Sequence, residues 1–225
     1  MTPESVARAR AAFRQNRIPE NYSGPQHLAT VISFSLLVAA VSFAMLEDIK
    51  PAEWLTIPLT FLYSNIAEYL GHRGPMHNRT RFLAGIFQRH TVEHHSFFTD
   101  EAISFDSPRD YRAVLFPPIL LVFFFGFFAV PVGAILYFLV SPNVCFLFVF
   151  TAILYYLNYE LFHFSYHVDP RSRLGRLPVV RRLRRNHVLH HDKALMTRYN
   201  FNITYPICDH LFGTLYRHDD PGVSR

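Results

Sequence analysis

The chain of 225 residues is 50% apolar, 16% aromatic and 17% charged, which excludes a disordered protein and limits it to one folded unit or at most two. Two cysteines, Cys145 and Cys208, are too few for a disulfide scaffold, a cysteine-ligated iron–sulfur cluster or a four-cysteine zinc site. The net charge of +5 is compatible with an acidic partner, an anionic lipid surface or the basic loops of a membrane protein, so the positions of the charges must separate these.

Residues 1–24 are polar and carry Arg8, Arg10, Arg14 and Arg17 without a cleavage-like pattern, which predicts an interfacial or disordered tail. Residues 28–46 carry no charge and, at about 1.5 Å of helical rise per residue, nearly match a hydrocarbon core of roughly 30 Å. A second span is predicted over 52–70, interrupted only by Glu53 and Glu68, a third over 113–140 and a fourth over 144–166. Pro117, Pro118 and Pro131 favour a kink or break in the third. Ser141-Pro142-Asn143 is a turn signal that makes the last two spans a tight hairpin. Phe123, Phe124, Phe125, Phe127 and Phe128 read first as lipid-facing bulk, with an acyl tunnel as the other possibility.

The basic residues give an independent topology. Six arginines (Arg73, Arg79, Arg81, Arg89, Arg109 and Arg112) separate spans two and three, and eleven basic residues follow span four, whereas the link between spans one and two has only Lys50 against three acids. Cytoplasmic loops collect Lys and Arg, so an all-α, four-span protein is expected, with both termini cytosolic and a cap made of 71–112 and 167–217. Orientation already accounts for Arg181, Arg182, Arg184 and Arg185, with docking of an acidic donor or lipid headgroups as the second reading, and leaves no case for nucleic acid.

Ten of the thirteen histidines fall in four groups: His72 and His77; His90, His94 and His95; His163 and His167; His187, His190 and His191. Residues three or four apart share a helix face, so His90 with His94, His163 with His167, and His187 with His190 and His191 can each converge. His72 and His77 are five apart and do not fit a straight helix, but Gly74-Pro75 between them offers a break. The predicted topology brings all four groups to one membrane face. Ten imidazoles exceed one ion's coordination of about four to six, which implies two metal ions. Glu68, four before His72, and Glu160, on the face of His163 and His167, are candidates to accept an imidazole N–H; Asp192 and Asp209 are further ones. His27, His210 and His218 stand outside these spacings and read as structural.

These spacings, with Asn158-Tyr159-Glu160-Leu161-Phe162-His163 and the closing Asp209-His210-Leu211-Phe212-Gly213-Thr214, resemble the integral-membrane fatty acid hydroxylase superfamily over about residues 60–217. The resemblance implies a four-span helical protein whose cytosolic cap holds two iron ions, with dioxygen as co-substrate and a lipid C–H bond as target. The second group has three residues before its His-His pair, as membrane alkane hydroxylases do, where lipid hydroxylases of the superfamily commonly have two. Hydroxylation is the expected outcome and desaturation the alternative. No nucleotide-binding glycine loop is present, so electrons are expected from a separate ferredoxin, or a small cytochrome with its reductase. Zinc in place of iron would suit a membrane hydrolase, but HExxH is missing. A membrane heme protein, which needs axial histidines within facing spans, and a non-catalytic membrane protein are further alternatives.

Overall fold

In the computed structural model, residues 2–117, 126 and 129–217 are described, and every regular element among them is helical. The protein is all-α. The longer helices are α1 (Pro3–Arg17), α2 (Gly24–Ala44), α3 (Thr56–Gly71), α4 (Val130–Leu139), α5 (Pro142–Tyr166) and α6 (Pro178–His190), followed by the short α7 (Ile207–Leu211). Ser23 caps α2 by accepting the Gln26 N–H, and Pro25 sits in the first turn, where its missing N–H costs nothing.

The chain divides into two compact units. One contains Ser23–Ser64 and Leu115–Leu161. Within it, α2 and α5 pack through buried Ala39 and Ile153, with Val38, Phe150 and Leu154 around them. Ring pairs Phe61–Tyr155 at 5.5 Å and Tyr63–Phe148 at 6.1 Å join α3 to α5. Asn143 ties the two turns of this unit together, since its side chain accepts the Glu47 N–H and donates to the Glu47 carbonyl. Gly133 faces Cys145 and Val149, where a Cβ would already be in van der Waals contact, so α4 lies close against α5.

Among the described residues two helices, α2 and α5, are long and apolar enough to cross a membrane; α3 and α4 are shorter than that. The apolar surface of this unit is largely open: Leu59 is 64% exposed, Phe138 80% and Leu139 78%. Large apolar side chains exposed in this number belong in lipid or against a partner. The predicted third span is described only at its ends, and Pro118 with Phe123, Phe124, Phe125, Phe127 and Phe128 lies outside the described residues, as does His218.

The second unit comprises Met1–Tyr22, Asn65–Val114 and Phe162–Arg225. Here the structure corrects one expectation. Residues 3–17, read from composition as part of an interfacial or disordered tail, form a capped helix whose Val6, Arg10 and Phe13 are buried. Phe13 meets Phe97 edge-to-face at 5.2 Å, and Arg14 pairs with the fully buried Asp110 at 2.8 Å. Burying side chains such as Phe13 and Phe97 contributes on the order of 1.5–3 kcal/mol each, enough to hold a 15-residue helix that would be marginal alone.

At His72–Met76 two helical segments meet across a kink, and Gln88–His94 winds as π-helix. At the first, Pro75 cannot donate to the ladder and Gly74 takes a non-helical ψ of −105°. The N–H groups of His77 and Asn78 both return to the Gly74 carbonyl, at 3.1 and 2.7 Å. Because i→i+5 bonding widens the turn, residues five apart come onto one side of the chain.

Candidate metal centre

All ten clustered histidines are buried, with 5% exposure or less, and all lie in the second unit. Nine of them form two groups whose ligand atoms lie within 4.8 Å of one another: His72, His77, His90, His95 and His190 in the first, and His94, His163, His167 and His187 in the second. The tenth, His191, sits beside both. Its Nε2 is 3.0 Å from His187 Nε2, and its ring is 4.3 Å from that of His95.

The grouping crosses the sequence motifs. His163 and His167, four apart on and just after α5, share the second group. His90 and His94 stack at 5.3 Å yet fall in different groups, and His90 is joined instead by His95. The π turn at Gln88–His94 is the cause, since it replaces the i,i+4 face of an α-helix by an i,i+5 one. The kink at Gly74 brings His72 and His77 together without a straight helix. On α6, His187 and His190 diverge, the first to the second group and the second to the first.

Six of the ten rings are aimed by a backbone or hydroxyl partner at Nδ1. His72 bonds the Phe201 carbonyl at 2.5 Å, His94 that of Ala113 at 2.9 Å and His167 that of Ile103 at 2.8 Å. His190 bonds the Tyr199 carbonyl at 3.0 Å and His191 that of Phe98 at 2.8 Å. His77 Nδ1 lies 3.2 Å from the Thr91 hydroxyl, which itself donates to the Met76 carbonyl and so must accept from the ring. A carbonyl only accepts, so these six rings carry their proton on Nδ1 and present Nε2 as a lone pair.

Those lone pairs face one another. His77 Nε2 and His190 Nε2 are 2.9 Å apart, with both Nδ1 positions already donating. In the second group His187 Nε2 is 3.0 Å from both His167 Nε2 and His191 Nε2, and a single proton on it can satisfy only one of them. Opposed lone pairs at this distance repel, and a cation among them removes the conflict. Burial pushes every one of these imidazoles outside the apolar spans below its ordinary value, His190 to about 4 and His77 to about 2, so they are neutral, the form in which imidazole binds a metal. The donor set therefore fits one metal ion in each group, and nitrogen ligands suit iron or zinc.

Burial also sets a pH dependence. A ring held neutral in the fold but titrating near 6.5 when unfolded takes up its proton only on unfolding, so stability is complete above pH 6.5 and falls as pH drops below it. Each ring removes about 1.4 kcal/mol per pH unit until its folded value is reached. For the chelator-stripped protein in detergent, we expect the unfolding temperature to fall steadily from pH 6.5 toward 4, the value to which His190 is lowered. A circular-dichroism melt that is flat across this window would contradict neutral burial.

Two of the acidic candidates, Glu68 and Asp209, act at one remove from the rings. Glu68 accepts the N–H groups of Ile203 and Thr204 and the Thr204 hydroxyl, fixing the loop that follows Phe201. Asp209 accepts the N–H groups of Phe201 and Asn202 at 3.0 and 2.7 Å and the Thr214 hydroxyl at 2.7 Å, helped by Gly213, whose φ of 67° turns the chain after α7. Both thus hold the carbonyl that aims His72. Glu160 lies in the other unit and accepts the Phe116 N–H at 3.4 Å, and Asp192 caps its own turn through the Ala194 N–H. His27 bonds the Phe116 carbonyl at 3.2 Å and His210 is exposed, so neither joins the cluster. Sequence reasoning missed Thr91 and the carbonyls of Phe98, Ile103, Ala113, Tyr199 and Phe201. A carbonyl has no residue signature, whereas Thr91 inside the second histidine motif was open to notice.

Comparison with known proteins follows the same lines. Residues 57–214 match the model of the fatty acid hydroxylase family. The fold is similar to that of full-length scs7p, a solved structure in which only the hydroxylase domain is visible, with a TM-score of 0.63 at 20% identity over 90% of this chain and 70% of that one. No curated protein matches the sequence.

Proposed function

The chain belongs to the fatty acid hydroxylase family, and from that premise we propose that it is a membrane oxidoreductase that hydroxylates a lipid C–H bond at a histidine-held pair of iron ions. The observation that carries the reading is the pair of buried imidazole groups with Nε2 lone pairs turned toward one another. His72, His77, His90, His95 and His190 would hold one ion, His94, His163, His167 and His187 the other, and His191 borders both. Bound iron would supply activation of dioxygen for oxygen insertion, with two electrons from a separate ferredoxin, or a small cytochrome with its reductase.

The protein's own contribution is positional. Backbone carbonyls at Phe98, Ile103, Ala113, Tyr199 and Phe201 fix the tautomer and direction of five rings before any ligand binds. Burial of Phe97, Phe98 and Phe201 around the rings, each with 0% exposure, keeps bulk water from the reacting atoms. The open apolar surface of α2, α3 and α4 supports a lipid environment and a lipid substrate. Four spans, cytosolic termini and residence in the cytoplasmic membrane or endoplasmic reticulum complete the proposal, supported by the distribution of arginines.

The test is lipid mass spectrometry of cells with and without the protein under labelled dioxygen. One or more lipids should gain a single labelled oxygen only when the protein is present. A gain of one unsaturation without oxygen would move the reading to desaturation, and two zinc ions with unchanged lipids would end it. Purified protein with NADPH alone should not turn over.

A further inference from the structure

Loop 97–106 carries two of the carbonyls that aim the histidines: Phe98 for His191 and Ile103 for His167. It also receives the ring of Phe98 on His167 at 4.1 Å, and its Phe105 N–H bonds the His167 carbonyl at 2.8 Å. No helix spans residues 98–106, and the loop's own bonds are a turn between Thr99 and Ala102. Arg10 on α1, which lies outside the stretch matched by the family model, binds it along most of its length.

The Arg10 guanidinium, on a residue 8% exposed, donates to the carbonyl of Phe97 at 2.9 Å, of Ala102 at 2.5 Å and of Ser104 at 3.2 Å, and pairs with Asp106 at 2.9 Å. The bonded carbonyls stand next to the two that matter. Phe97 precedes Phe98, and Ala102 and Ser104 flank Ile103. A planar fork with five donors can hold three carbonyls and a carboxylate at once, which an ammonium on a flexible stem cannot do with the same rigidity. Arg14 supports it from one turn later by bonding Asp106 and Asp110, and Arg184 holds the other side of the loop at the Ser104 hydroxyl at 3.1 Å.

We propose that Arg10 is a positioning residue for the His94, His163, His167 and His187 group: α1 acts as a clamp that, through loop 97–106, sets the direction of the His167 ring in that group and of His191, whose Nε2 lies 3.0 Å from His187 Nε2. The inference rests on the metal reading given above. Its consequence is selective, because the carbonyls that aim His72 and His190 belong to Phe201 and Tyr199, which Arg10 does not touch.

The experiment titrates Zn2+ into chelator-stripped, detergent-solubilised protein against a chromogenic chelator, with unfolding temperatures measured alongside. Wild type should take two ions. Arg10→Gln should weaken one of them by about tenfold and leave the other within twofold, the lower end of what loss of an outer-shell partner costs. Arg10→Lys should fall between. Val6→Ala, which loosens the buried face of the same helix and removes no hydrogen bond to the loop, should lower the unfolding temperature and leave both affinities unchanged. If Arg10→Gln is not recovered folded, Arg10→Lys is read by the same criterion at about threefold. Unchanged affinities in the arginine variants, equal weakening of both ions, or a Val6→Ala effect matching theirs would overturn the clamp. A wild type that binds no Zn2+ would instead overturn the metal centre itself.

Discussion

Replacing His94 by alanine is expected to abolish hydroxylated lipid, a loss of more than about 100-fold, since removal of even an outer partner of a metal ligand costs 10–100-fold. His94 holds a central place in the cluster. Its Nε2 is 3.2 Å from His163 Nε2, its ring is 5.1 Å from that of His167 and 4.9 Å from that of His191, and it stacks on His90 of the other group. The substitution removes one of four nitrogens from its group and leaves the buried Ala113 carbonyl without its donor. Lipid mass spectrometry and metal content of the purified protein check it together. His210→Ala, at an exposed histidine outside both groups, is the control and should keep product and metal unchanged. Full product from His94→Ala would show that the second group is not where the chemistry occurs.

Asp209→Ala is expected to act through stability first and metal second. The residue is fully buried, and burial raises its carboxyl above the ordinary value against three donors that favour the charged form. Its loss orphans the N–H groups of Phe201 and Asn202, while the Thr214 hydroxyl keeps the Tyr69 hydroxyl at 3.2 Å. One orphaned buried group costs about 1–3 kcal/mol, so roughly 3–5 kcal/mol is expected for the pair, or about 6–20 °C of unfolding temperature at this chain length. Because the Phe201 carbonyl aims His72, the ion of the first group should also bind about 10–100-fold more weakly, while that of the second is kept. Asp209→Asn keeps one acceptor oxygen and should lose about half as much. Thermal melts and Zn2+ titration distinguish this from a carboxylate without structural purpose, for which neither would move.

Much of the site was legible along the chain because imidazoles are rare and their spacing records helical repeat. His163 and His167 illustrate this, since four residues of α5 and its end place both in one group. Glu68 and Asp209 were also visible, since a carboxylate near a histidine motif in an apolar chain needs donors, although the donors proved to be loop amides rather than imidazoles. The N-terminal helix was misread, because composition alone reads an arginine-rich segment as solvated. The stripe of Val6, Arg10 and Phe13 on one face was the available signal, and Asp106 and Asp110, which neutralise Arg10 and Arg14, each lie 96 residues from the arginine they pair with.

By itself, then, the sequence determined the helical class, the apolar stretches and the ten histidines, since each of these depends on residue type and on a repeat of 3.6 or fewer neighbours. Which histidine joins which group was decided by the tertiary structure. A kink at Gly74 and a π turn at Gln88–His94 pair residues five apart, sending His95 rather than His94 to join His90, and carbonyls that set the proton of five rings come from elsewhere along the chain. A main-chain oxygen is the same in every residue, so only the folded path of the backbone can bring it to a particular imidazole.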